Sequence, residues 1–224
     1  FSPEPAVRHG RVTTVPRIPA EARPPRADRP YILFVGTVQP RKNIETLLRA
    51  YRQAASRGCR EDLVIAGQLG WGWAPVARLA ASDPLLRERV HFAGYVPEAQ
   101  LPALYRGARL FVFPSLEEGF GLPPLEAMAC GVPCVCADTS SLRENLAGAA
   151  VLVPPEDTDG WADALGGALR DPSELARLRA AGLARARGFS WESTARRTLD
   201  CYRELSAHLA GADLGMPVCC SVSH

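Results

Sequence analysis

Short apolar runs alternate with amphipathic stretches along most of this chain. Tyr31–Gly36, Leu63–Gly67, Val90–Ala93, Leu110–Pro114, Pro133–Ala137 and Ala150–Pro154 are nearly free of the polar alternation that a strand with one wet face carries. That is the pattern of parallel strands buried on both faces. Between them the apolar positions return every three or four residues, which predicts helices over Ile44–Ser56, Ala74–Ala81, Glu98–Arg106, Pro124–Cys130 and Leu142–Leu146. Beyond the last run, further helices are predicted over Thr158–Leu169, Ser173–Arg187 and Trp191–Leu209, with Ser190 as the N-cap of the last. About six strands separated by helices predict an α/β fold with a doubly wound, Rossmann-like parallel sheet. Ligands of such sheets bind beyond the carboxyl ends of the strands. Lys42, Gln68, Tyr95 and Glu118 follow the first four strands in turn and so share that edge.

The flanks differ from this middle. Residues 1–30 are rich in Pro and Arg without period and read as a linker or interdomain segment, 31–209 as the folded domain, and 210–224 as a flexible tail. The formal charge of +2 is uneven, about +3 in residues 1–30 and −1 in the remainder, and leaves no nucleic-acid footprint. No apolar run approaches membrane-spanning length. Seven cysteines lack paired metal spacing, and Cys134 and Cys136 read as small buried hydrophobes, so a reduced, cytoplasmic protein is expected. The four histidines are scattered, which argues against a zinc site or a Ser-His-Asp triad.

Of the 26 basic residues all but one are Arg; the exception is Lys42. Where arginine serves every generic need for a cation, a lone lysine points to a site that needs a compact ammonium on a flexible stem, as a phosphate contact does. Asn43 reads as the N-cap of the helix that follows, so Arg41 and Lys42 stand at the positive end of a helix dipole. Cations there are disfavoured by about 0.3–1 kcal/mol each unless an anion joins them.

The segment Glu118-Gly-Phe-Gly-Leu-Pro-Pro-Leu-Glu126 places two carboxylates around a glycine loop leading into a helix. Gly119 and Gly121 allow close backbone approach to a ligand, and the N–H groups that follow would face it with the helix dipole behind. Pro123 and Pro124 suit the first helical position, which puts Glu126 in the first turn. Neighbouring features have plainer readings. Ser141-Leu-Arg-Glu144 looks like a capping box, Trp71 and Trp73 are an aromatic wall or ordinary packing, and Arg196, Arg197 and Arg203 form a solvated helix face. Gly36-Thr-Val-Gln-Pro40 lacks the glycine fingerprint of a dinucleotide site. A glycosidase would also use two carboxylates but has no need of a diphosphate cradle.

From about Tyr31 to Leu205 the chain resembles the donor-binding, C-terminal domain of the family-4 (GT4, group 1 type) retaining glycosyltransferases, which have the GT-B fold. The resemblance rests on Phe34-Val-Gly-Thr37 with Pro40-Arg-Lys-Asn43, Leu63-Val-Ile-Ala-Gly67, Val90-His-Phe-Ala-Gly-Tyr-Val96, Phe111-Val-Phe-Pro-Ser115, and Glu118 through Gly131. It implies a hexosyltransferase that takes its sugar from a nucleotide-diphosphate donor, GDP-mannose or a UDP-sugar, with retention and without an obligatory metal or other cofactor. By the same resemblance Glu118 would bind hydroxyls of the sugar, and the amides of Gly119, Phe120, Gly121 and Leu122 the sugar and diphosphate. Glu126 would accept the ribose hydroxyls, and Lys42 would neutralise the diphosphate. Gly36, Thr37 and Arg41 would belong to the donor-binding set, and the base would rest near Tyr95 and Val96. Many relatives carry Arg where this chain has Thr37. The acceptor, and any membrane contact, would belong to an N-terminal domain; a non-catalytic nucleotide-sugar binding or assembly module is the alternative.

Overall fold

The computed structural model describes residues 29–211, and most of the tail and of the linker expected from the sequence lie outside them. Six strands form one parallel sheet: β1 (Tyr31–Val35), β2 (Asp62–Ala66), β3 (Val90–Gly94), β4 (Ala108–Phe113), β5 (Cys134–Ala137) and β6 (Val151–Val153). Their order across the sheet is β3-β2-β1-β4-β5-β6. The doubly wound expectation therefore holds, and the order reverses between β1 and β4. Each strand begins and ends within about two residues of its apolar run, because burial on both faces selects for unbroken hydrophobicity. Ile32, Leu33, Phe34, Leu63, Val64, Ile65, Leu110, Phe111, Val112 and Phe113 are fully buried.

The helices are α1 (Ile44–Ser56), α2 (Ala74–Ser82), α3 (Pro84–Arg89), α4 (Leu101–Gly107), α5 (Leu122–Ala129), α6 (Ser140–Leu146), α7 (Thr158–Arg170), α8 (Pro172–Ala186) and α9 (Trp191–Gly211). α1 packs its Ile44, Leu47, Leu48, Tyr51 and Ala54 stripe against α7, which answers with Trp161 and Leu165. Each of the buried Ile and Leu side chains contributes about 1.5–3 kcal/mol. α4 and α5 pack against β4, and α5 against α8. The described residues fall into two units, one ending at Ala186 and the other beginning at Arg187. The second is mainly α9, whose start Ser190 caps as expected, its Oγ accepting from Ser193 N at 3.1 Å. On α9, Trp191, Leu199, Tyr202, Leu205 and Leu209 fall on one helical stripe by their spacing.

Several local expectations fail for identifiable reasons. α3 is a separate helix, because Asp83 caps it by accepting from Leu85 N and Leu86 N at 2.9 and 3.2 Å and Pro84 follows at the first helical position. The helix expected from Glu98 begins as a 3₁₀ turn, Glu98–Gln100, and becomes α-helical at Leu101 beside Pro102. Asn43 is not a side-chain cap. Its backbone is left-handed, with φ of 56°, and its amide nitrogen donates instead to Pro114 O and Pro155 O at 3.2 and 2.7 Å. Asparagine tolerates that conformation better than other residues with a side chain.

Candidate donor site at the carboxyl edge

The strand order reverses between β1 and β4, the place where open α/β sheets bind ligands beyond the strand ends. The 3₁₀ turn Pro40–Lys42 comes from β1, and the loop Pro114–Gly121 from β4. They meet there. Lys42 Nζ donates a hydrogen bond to Glu118 Oε1, and Arg41 Nη1 approaches the same oxygen at 3.0 Å while also donating to Glu117 O at 3.2 Å. Leu116 N donates to Arg41 O at 2.8 Å and joins the two loops through the backbone. Sequence alone put both residues on one edge; the strand order is what makes them touch.

Lys42 is nearly buried, with 7% of its side chain exposed, and its ammonium lies 4.7 Å from the centroid of Phe113. Burial pushes its pKa below 10.5, the Glu118 carboxylate pulls it partly back, and Arg41 lowers it again. Asn43 fixes this lysine from behind, since its two donated bonds tie the turn to the end of β4 and to the segment before α7. The lone lysine of the chain is thus a held, desolvated cation.

The glycine loop is oriented by its carbonyls. Ser141 Oγ donates to Glu118 O at 2.6 Å, and Asn145 Nδ2 donates to Phe120 O at 2.8 Å. These two residues stand one turn apart on α6 and so present a common face. Ser141 therefore braces the loop rather than forming the expected capping box; the helix starts at Ser140 with Thr139 at the cap position. With the carbonyls tied back, the amides of Gly119, Gly121 and Leu122 have no protein acceptor among the described residues. Gly121 takes φ of 87° as it enters α5, a conformation that glycine adopts without strain. Ser115 Oγ, fully buried at the root of the loop, also lacks a partner among the described residues.

Glu126 lies deeper than expected. Because α5 starts at Leu122, the carboxylate falls in the second turn, outside the reach of a first-turn dipole effect. It is exposed, and its Oε2 accepts from the hydroxyl of buried Tyr105 at 2.8 Å. Tyr95 and Val96 stand apart from the charged cluster. They line a hollow of about 330 Å³ with Gly36, Thr37, Gly67 and Gln68, across the ends of β1, β2 and β3. Gly67 is required there, as a Cβ on it would meet Gly36 O at 2.0 Å. Trp71 is exposed at 70% in the loop after β2, and Trp73 is half-buried at the start of α2.

Tyr105, Asn145 and Ser141 were not legible as parts of this site. The only signal for the last two was their spacing of four on a short helix just beyond the glycine loop. Among the described residues no group of His, Cys, Asp and Glu is arranged to hold a metal ion. No described helix is long and apolar enough to cross a membrane.

Residues 19–185 match the family model described as glycosyl transferases group 1. The chain is 41% identical over 201 residues to the O-antigen chain mannosyltransferase B of Escherichia coli, covering 85% of this chain and 51% of that protein. It is 36% identical over 197 residues to the D-inositol 3-phosphate glycosyltransferase of Nocardia farcinica, covering 84% and 43%. Among solved structures it is similar to the sucrose-phosphate synthase of Thermosynechococcus elongatus, with TM-score 0.72, 32% identity, and coverage of 82% of this chain and 47% of that one. The chain thus spans about half the length, or less, of these relatives, and its sheet corresponds to the C-terminal half of a GT-B fold.

Proposed function

Since the chain belongs to the glycosyl transferases group 1 family, we propose that it is the donor-binding part of a retaining hexosyltransferase that uses a nucleotide-diphosphate sugar. The observation that carries this reading is the meeting of Lys42, Arg41 and Glu118 at the switch point, beside the unpartnered amides of Gly119, Gly121 and Leu122. Cations and backbone N–H groups converging on one place suit the negative charge that a diphosphate leaving group develops. Held by its burial and by Asn43, Lys42 would contact the phosphates without first having to be ordered. The glycine loop would hold the sugar and diphosphate between its amides and the Glu118 carboxylate. Glu118 Oε2 has no protein partner among the described residues, which leaves it open to sugar hydroxyls. Glu126 would accept the ribose hydroxyls, and the hollow at Tyr95 and Val96 would take the base.

Mannosyl transfer from GDP-mannose and glycosyl transfer from a UDP-sugar both fit this site, and the E. coli relative favours the former. Cytoplasmic residence and the lack of an obligatory metal go with that reading. Transfer needs donor and acceptor held in near-attack geometry by two walls of a cleft. This chain would supply one wall, and so would bind donor without transferring it until a companion N-terminal domain is supplied. Titration calorimetry of the chain with UDP-, GDP-, ADP- and TDP-sugars tests the proposal. Binding of at least one of them, weakened by Lys42→Ala and also by Lys42→Arg, is expected. Binding indifferent to both changes would refute the role of Lys42, and efficient acceptor-dependent release of nucleotide diphosphate by the chain alone would refute the single-wall account. If supplying the companion domain produced no transfer, the chain would be a binding module.

A further inference from the structure

Three tyrosines of the sheet unit donate a hydrogen bond from a buried or nearly buried ring, and they do so differently. Tyr31 donates to Leu104 O at 2.7 Å and Tyr51 to Glu61 O at 2.8 Å, both neutral backbone carbonyls. Tyr105 donates to a carboxylate, Glu126 Oε2, at 2.8 Å. A phenol that only needed an acceptor could be satisfied as the other two are. The ring itself is fixed: it is 2% exposed and packs on Phe111 with centroids 5.6 Å apart at 58°. Phe111 stacks on Phe113 at 6.1 Å, and Phe113 lies under Lys42. One buried aromatic row along β4 thus backs Lys42 at one end and, through Tyr105, Glu126 at the other.

Glu126 needs such backing. It is an exposed glutamate with three rotatable side-chain bonds, and a charge-assisted bond from an immobile donor selects one of its conformers. Burial, followed by the charge of Glu126 itself, pushes the phenol pKa up, so the hydroxyl stays a donor at any working pH. Glu126 Oε1 has no protein partner among the described residues.

We propose that Tyr105 is a positioning residue for ribose recognition: its hydroxyl occupies one oxygen of Glu126 and thereby holds the other ready for the vicinal diol of the donor nucleotide. This rests on the reading of Glu126 given above. A fixed carboxylate accepts both hydroxyls of a diol at little entropic cost, whereas a free one must first be ordered.

The test is calorimetry on the chain and on Tyr105→Phe, Glu126→Ala and the double variant, with GDP, 2′-deoxy-GDP, UDP, 2′-deoxy-UDP and inorganic pyrophosphate as probes. The parent should prefer the ribonucleotide by about tenfold, about 1.4 kcal/mol. Tyr105→Phe should reduce that preference to threefold or less while leaving pyrophosphate affinity unchanged, a pattern that a general loss of structure does not produce. Glu126→Ala should abolish the preference, and Tyr105→Phe should change nothing further in that background. Full preference in Tyr105→Phe, with none in Glu126→Ala, overturns the role of Tyr105 and leaves that of Glu126 standing. A parent without the preference, or preference retained in Glu126→Ala, overturns the assignment of Glu126 and the inference with it.

Discussion

The two edges of the sheet both carry near-buried charge, and they differ in how completely it is matched. At the amino edge Glu61 and Asp62 are 3% and 1% exposed. Glu61 Oε1 takes Arg109 at 2.6 Å, and its Oε2 takes Arg60 N at 3.0 Å and Cys59 Sγ at 3.3 Å. Asp62 Oδ2 pairs with His91 Nε2 at 2.9 Å, and its Oδ1 lies 3.5 Å from both Arg29 and Arg89. The hollow there is the larger of the two, about 730 Å³ against 330 Å³, yet every carboxylate oxygen facing it is taken. At the carboxyl edge one oxygen of Glu118, one of Glu126, the Ser115 hydroxyl and several loop amides have no protein partner among the described residues. Of these, Ser115 Oγ is fully buried and the Glu118 side chain nearly so, and native proteins rarely leave such groups unmatched without a reason. Size therefore does not separate the two edges; the unmatched carboxylate oxygens and loop amides do, and they are what the proposed donor site rests on.

Breaking the matched edge should have the largest effect, and on stability alone. Asp62→Ala leaves Arg89 and His91 without their carboxylate, and removal of one partner from a buried pair costs about 3–5 kcal/mol. Urea denaturation should show that loss, while calorimetry on the folded fraction should show unchanged affinity for GDP or UDP. Burial pushes the Cys59 thiol at this edge up to about 12, so it should also resist alkylation in the folded chain.

At the unmatched edge the effect should move from stability to binding. On the proposed reading Lys42→Ala removes a charge-assisted contact to the diphosphate, and calorimetry should show a loss of about 1.5–3 kcal/mol, roughly ten- to 160-fold. Nucleoside binding should change little. The pH dependence follows from the lowered pKa of Lys42. The folded chain loses this proton at a lower pH than the unfolded chain, so the charge costs stability below the lowered pKa. That cost is relieved as pH rises toward 10.5. Diphosphate affinity, which needs the ammonium, should fall over the same window. In Lys42→Arg it should be weaker at neutral pH but flat across that window, because the guanidinium stays charged.

The braces behind the loop should give smaller, mixed effects. Ser141→Ala and Asn145→Ala each delete one hydrogen bond to a loop carbonyl, worth about 0.5–1.5 kcal/mol. Affinity for a nucleotide sugar should drop several-fold in each, because the amides are then less firmly aimed. An exposed pair outside both charged clusters sets the baseline. Arg57 and Asp163 are 49% and 75% exposed, and Arg57→Ala should lower the unfolding free energy measured in urea by about 0.5 kcal/mol or less, with no effect on binding.

The strands were legible because burial on both faces leaves an unbroken apolar run, and α1 and α7 because each packs through one stripe. Glu118, Glu126 and Lys42 stood out as candidates because charged residues beside glycines and helix starts have few structural reasons to be there. Contacts set by strand order were not legible. That Lys42 reaches Glu118 depends on β1 and β4 being neighbours, and no local pattern states it. Asn43, Ser141 and Asn145 each carry a short polar side chain that could serve its own helix, and in each the distant carbonyl wins. Sequence offers the local choice, and only packing reveals the remote one.

Hydrogen exchange of the chain with and without saturating GDP or UDP tests the assignment of the carboxyl edge most directly. Added protection should appear in the turn Pro40–Lys42 and in residues 118–126, with no local change at residues 58–62 on the amino edge. Protection centred on residues 58–62, or none at either edge despite measured binding, would contradict the account.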